Sequence, residues 1–157
     1  VENLNPSFIA DVHLGKLSRL MRMLGFDVLY DKDSSPHTLA QTSASENRIL
    51  LSRSGSLCGS VAPSLRIISE QPDEQVKQVL HGIGLIPLIA PFTRCLVCNG
   101  KLILVPVEKI LNVLPANTAR YMNTFWECSH CCRHYWKGSH YNRMEKLVEE
   151  LRSEQPD

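Results

Sequence analysis

Apolar and polar positions along this chain follow two periods that take turns. Short apolar runs of strand type occur at Ser7–Asp11 (SFIAD), Asp27–Tyr30 (DVLY), Arg48–Ser52 (RILLS) and Leu65–Ser69 (LRIIS). Between them the period becomes helical. Leu14, Leu17, Leu20, Met21 and Leu24 share one arc at roughly 100° per residue, and Lys16, Arg19 and Arg22 share the opposite arc. Gly25 is a natural stop for that helix. Pro36 opens a second helix, to about Ala44, and Pro72–Gly84 reads as a third, with Asp73 as its N-cap. The stretches SASEN and SRSGSLCGS read as loops. Strands and helices alternating at this spacing predict an α/β fold, a parallel sheet with crossover helices.

After residue 90 the pattern changes. Leu85–Arg94 (LIPLIAPFTR) carries prolines and leads into a cysteine-rich segment, which places a boundary near 90 and divides the chain into 1–90 and 91–157. A length of 157 residues has room for one medium domain with a small module. Net charge is +1 overall, but −1 over residues 1–90 and +5 over residues 91–146. That bias is compatible with RNA and does not by itself specify it. The segment Glu145–Asp157 is acidic and is expected to fray after its last helical turn. No apolar run reaches the length of a membrane span and no signal-peptide pattern opens the chain, so no membrane partner is expected.

Six cysteines occur, four of them in two C-x-x-C pairs. RCLVCNGKL (Arg94–Leu102) holds Cys95 and Cys98, and FWECSHCCRHYW (Phe125–Trp136) holds Cys128 and Cys131. Each pair leads into a strand-like run, and Asn99-Gly100 supplies the tight turn a knuckle needs. Four thiolates at this spacing suit tetrahedral Zn²⁺ in a closed, structural site. The alternative is a pair of buried or redox-active dithiols. Cys132 adjoins Cys131 and could compete as a ligand, and Cys58 has no partner in the sequence. Pairs of this kind without an export signal indicate a reducing, intracellular compartment, the cytoplasm first among them. Next comes HYWKGSHYNRM (His134–Met144). Tyr135 and Trp136 either stack on bases or fill the small ribbon core, and Lys137, His140 and Arg143 could meet phosphate.

Four stretches together resemble the Mut-seven C-terminal RNase family: FIADVHLGKLSRLMRMLGFDVLYD, RILLSR, PFTRCLVCNGKL and FWECSHCCRHYWKGSHYNRM. The resemblance implies a PIN-like nuclease domain followed by a zinc ribbon, Mg²⁺ or Mn²⁺ at an acidic cluster, and RNA as substrate. It also implies that a small ubiquitin-like domain can stand upstream, and a chain opening at Val1 fits a place after one.

A metal-dependent nuclease needs several carboxylates converging on one or two divalent ions. Asp11 ends the first strand and matches the family's first aspartate; the alternative is a cap for the helix that follows. Where the family's third strand leaves as T-R-D, this chain has Ser52-Arg53-Ser54. Where the family has acid at the start of the second helix, Pro36 or His37 stands. A hydroxyl brings no charge to offset cation dehydration. Asp31 and Asp33 could compensate, or serve as ordinary turn residues.

The expectation is therefore an RNA-binding domain of nuclease ancestry, with catalysis weak or lost. Asp11 and Asp33 are its candidate catalytic acids. Lys16, Arg19, Arg22, Arg53, Lys137 and Arg143 are its candidate RNA contacts. An active endoribonuclease, and a structural subunit of a larger assembly, are the alternatives.

Overall fold

The strand residues sort by parity. In this computed structural model, which describes residues 5–154, the first strand β1 (Ser7–Ala10) sends Phe8 and Ala10 to one face and Ile9 to the other. The third strand, β3 (Ile49–Ser52), sends Leu51 to the first face and Leu50 to the second. A period of two has this consequence in a sheet covered on both sides. The other strands are β2 (Asp27–Leu29) and β4 (Ser64–Arg66). All neighbours are parallel, in the order β2-β1-β3-β4.

The helices are α1 (Gly15–Met23), α2 (Pro36–Glu46), α3 (Gly55–Ser60) and α4 (Pro72–Ile83). Leu17 and Met21 of α1, with Val76, Val79 and Leu80 of α4, bury the larger face of the sheet. Leu39 of α2 covers the smaller one. Beyond residue 90 comes a second sheet, antiparallel, in the order β5 (Leu102–Val105), β6 (Phe125–Cys128), β7 (His134–Trp136). A short helix, α5 (Thr118–Tyr121), lies in the connection between β5 and β6.

The last helix, α6 (Ser139–Ser153), returns to the first sheet's core. Met144, Leu147, Val148 and Leu151 recur at i, i+3, i+4 and i+7, and they pack in the same cluster as α1 and α4. Among the described residues, no helix is long and apolar enough to cross a membrane.

Three local expectations change. SASEN is not a loop: α2 continues to Glu46 and stops at Asn47, which takes the left-handed conformation at φ 53°. SRSGSLCGS is not all loop either, because Ser54 caps α3. Asp73 does not cap α4; Gln71 holds that position, and Asp73 sits in the first turn beside Pro72. The apolar periodicity that marks long helices is missing from the six residues of α3, so only its cap could have revealed it.

Candidate cleft and metal centre

Parallel sheets collect ligands beyond the carboxyl ends of their strands. Here a cleft of about 570 Å³ opens at the ends of β1 and β3, lined among others by Asp11, His13, Ser34, Arg53, Ser54 and Ser56. Asp11 is only 7% exposed. Its Oδ2 accepts from the fully buried Ser52 hydroxyl at 2.7 Å, and its Oδ1 accepts from the His13 N–H at 2.9 Å. Ser52 Oγ in turn accepts from the Ser54 N–H at 3.0 Å. The Ser54 hydroxyl accepts from the Leu57 N–H at 3.2 Å and so caps α3. Asp11 does not cap α1; Leu14 holds the N-cap position there, without a side-chain bond.

Asp11 is the one carboxylate among the lining residues. Asp31 and Asp33 are exposed in the turn after β2, where Asp31 Oδ1 accepts the Asp33 N–H at 2.9 Å. Neither lines the cleft. Pro36 lines it, with no charge to offer. Among the described residues, the only group of three or more His, Cys, Asp or Glu able to hold an ion is the four-cysteine set. The residues at Asp11 therefore do not fit a Mg²⁺ or Mn²⁺ site: one carboxylate lines the cleft, where such an ion calls for several oxygen ligands with charge to offset its dehydration.

The basic candidates scatter. Lys16 and Arg19 are exposed on α1, and Arg53 is exposed at the cleft with Glu70 3.4 Å away rather than Asp11. Lys137 lies over the Tyr141 ring at 5.1 Å, and Arg143 is exposed on α6. Arg22 corrects the expectation. It is 5% exposed, and its guanidinium is taken by backbone carbonyls: Nε donates to Val28 O at 2.9 Å, and Nη1 to Leu96 O and Val97 O at 3.1 and 3.2 Å. Helical periodicity put Arg22 on the polar arc, but a second module sits against that arc and buries it.

The cysteines form the densest constellation. One sulfur each from Cys95, Cys98, Cys128 and Cys131 lies within 4.8 Å of the others, a set that could hold a metal such as zinc. Backbone N–H groups of Gly100 and His130 donate to Cys98 Sγ and Cys128 Sγ at 3.4 Å each, the pattern that steadies thiolates in a knuckle. A Cβ on Gly100 would come within 2.8 Å of Cys128 Sγ, so the turn needs glycine. Cys132 and His130 are exposed beside the set, and Cys58 lies apart on α3. Burial pushes the Cys95 thiol up, but hydrogen bonds from the Tyr135 hydroxyl and from backbone N–H groups outweigh it and bring it to about 6. Tyr135 is therefore engaged: its hydroxyl is 2.9 Å from Cys95 Sγ and accepts from the Leu96 N–H. Trp136 packs against Phe125 inside the ribbon.

The knuckle also closes the sheet edge, which the sequence reading missed. Asn99, at φ 68°, accepts the Val28 N–H at 3.1 Å and donates to Asp27 Oδ1 at 2.7 Å. Asp27 meets Arg48 at 2.8 Å and Arg94 at 3.8 Å. Burial pushes the Asp27 carboxyl up, yet the hydrogen bonds from Arg48 and Asn99 and the two guanidinium charges hold it below its ordinary value. An open edge strand is thus paired by side chains of the cysteine module. The isolated pairing of opposite charges across such a distance in sequence leaves no local signal.

A family model described as Mut7-C RNAse domain matches residues 6–148. No curated protein and no solved structure matches the chain.

Proposed function

We propose that this chain, which belongs to the Mut7-C RNAse domain family, is an RNA-binding domain of nuclease ancestry whose catalysis is weak or lost. The observation that carries this reading is the cleft with a single carboxylate, Asp11, where a two-ion or one-ion nuclease gathers several. Ser54 stands two residues beyond β3, where acid would be expected, and works there as a helix cap. Arg53, His13 and the serine hydroxyls leave the cleft with donors for phosphate and little negative charge to repel it. In this reading the parallel sheet is PIN-like, the four cysteines hold a structural Zn²⁺, and exposed Lys16 and Arg19 border the path of an RNA backbone.

The test is single-turnover cleavage of RNA in Mg²⁺ and in Mn²⁺, beside filter binding of the same RNA. The expected outcome is salt-dependent binding with no cleavage above background. Cleavage that disappears in Asp11→Ala sinks the proposal and makes the chain a working endoribonuclease. Absence of RNA affinity at low salt sinks it in the other direction, toward a structural subunit of a larger assembly.

A further inference from the structure

The cleft is not the only concavity with chemistry suited to RNA. A slot of about 70 Å³ lies between the ribbon and α6, lined by Met23 of α1 and by Phe92, Arg94, Tyr135, Trp136 and Tyr141. Phe92 is held at φ 59°, a region that bulky residues rarely enter. In that conformation its ring lies flat on Trp126, with centroids 4.0 Å apart and planes 14° apart, and tilts toward Tyr141 at 5.7 Å. Four aromatic residues thus surround a space with room for one planar ring rather than a whole nucleoside.

Charge selects the occupant. No carboxylate lines the slot; His140 does, and so does Arg94, whose guanidinium also reaches Asn99 O at 3.2 Å and Asp27 at 3.8 Å. Lys137 lies over Tyr141, and Arg143 stands next to the lining residue Met144. Glu145 faces the Tyr141 hydroxyl, outside the slot's lining. Residues 91–146 carry a net +5. An apolar side chain of a protein partner would need none of these cations; a base on a phosphate backbone uses both the ring faces and the charge. Met23 also lines a neighbouring groove of mixed charge, with Arg143 and Lys146 beside Asp73 and Glu150.

We propose that this slot takes one unpaired nucleobase of single-stranded RNA by stacking, without reading its sequence. The proposal rests on the RNA-binding reading above and adds a second site to it, at the opposite end of the sheet from the cleft.

Of the two tryptophans, Trp136 lines the slot and Trp126 stacks on the lining residue Phe92, so fluorescence reports its occupancy. The full zinc-loaded chain is titrated with an oligouridylate of about ten nucleotides and with an abasic ribose-phosphate strand of the same length, the scale of a single-strand site. The expected result is quenching by the oligouridylate and affinity about tenfold or more above the abasic strand. Tyr141→Ala is expected to remove that advantage while leaving abasic binding unchanged. The abasic comparison needs no variant, so it holds even if Tyr141→Ala folds poorly. Equal affinity for both strands without quenching overturns the slot and leaves the RNA reading standing. Failure of both strands to bind overturns the RNA reading and the slot with it. Quenching by a phenylalanine-rich peptide and not by the oligouridylate overturns the slot as a base site and assigns it to protein.

Discussion

The two ends of the parallel sheet treat polar groups in opposite ways. At the amino end of β2, where the cysteine module docks, Arg22, Asp27, Arg48 and Asn99 are buried or half-buried and each is matched by a partner. At the carboxyl ends of β1 and β3, Asp11 and Ser52 are buried against each other, and the cleft beyond them offers hydroxyls and a cation to solvent. Saturated polar groups hold modules together; unsaturated ones are available to a ligand. The contrast explains why Arg22 and Arg53, both basic and both adjacent to strand ends, have different fates. One spends its donors on three carbonyls, and the other has only an exposed partner 3.4 Å away.

The comparison breaks most severely if the four-cysteine set holds the proposed zinc and that ion is removed. Structural zinc contributes on the order of 10–16 kcal/mol to small modules that fold around it. Chelation, or Cys95→Ser, is expected to melt the ribbon sheet and shift tryptophan emission to the red. Because Asn99 and the Leu96 and Val97 carbonyls reach the edge of the parallel sheet, the same treatment should raise hydrogen exchange at Val28. Unchanged exchange at Val28 would mean that the seam is a contact without energetic consequence. Next in size is Arg22→Leu, which leaves three carbonyls without their donor and is expected to cost about 2–4 kcal/mol in urea melts.

Asp27 sharpens the comparison through pH. Its carboxyl ionises more readily in the folded chain than in the unfolded one, so the folded state binds fewer protons and acid favours unfolding. Its stabilising contribution is complete above the ordinary aspartate value of about 3.9 and is lost as pH falls from there through the lower folded value. Asp27→Asn should therefore flatten the acid limb of the stability curve and cost about 1.5–3 kcal/mol at neutral pH. An acid limb identical in both chains would show that Arg48 and Arg94 do not hold this carboxylate.

The seam and the cleft were unequally legible in the sequence. Short apolar runs alternating with helical stretches revealed the four parallel strands, and the C-x-x-C spacing revealed the ligand set, because both signals are local. Asp11 was legible as a strand-end acid, and Ser54 as a position lacking one. The role of Ser54 as the cap of α3 was not, since six residues carry no helical period. Arg22 was misplaced for a different reason. A periodic plot separates a helix's core arc from its polar arc, but it has no information about a second module docking on the polar side. Asn99 escaped for the same reason: a turn residue was visible, but the strand edge it would pair lies 71 residues away. The acidic segment from Glu145 was read as a helix end that frays, so the place of Met144, Leu147 and Leu151 in the first sheet's core was not foreseen.

The smallest change tests the cleft with the least disturbance. Asp and Ser cap helices about equally well, so Ser54→Asp should leave stability within about 0.5 kcal/mol, whereas Ser54→Ala should cost about 1 kcal/mol as a lost cap. The Asp variant places a second carboxylate at the lip of the cleft that Asp11 lines. If missing charge is what keeps a hard cation out, Mn²⁺ binding measured by calorimetry should appear in Ser54→Asp and vanish again when Asp11→Ala is added. Two carboxylates in place of one also raise repulsion toward phosphate, so RNA affinity without metal should fall and recover when Mn²⁺ is supplied. A variant that folds normally yet binds no Mn²⁺ would show that the Ser52 and His13 bonds to Asp11, rather than the absent acid, close the site to metal.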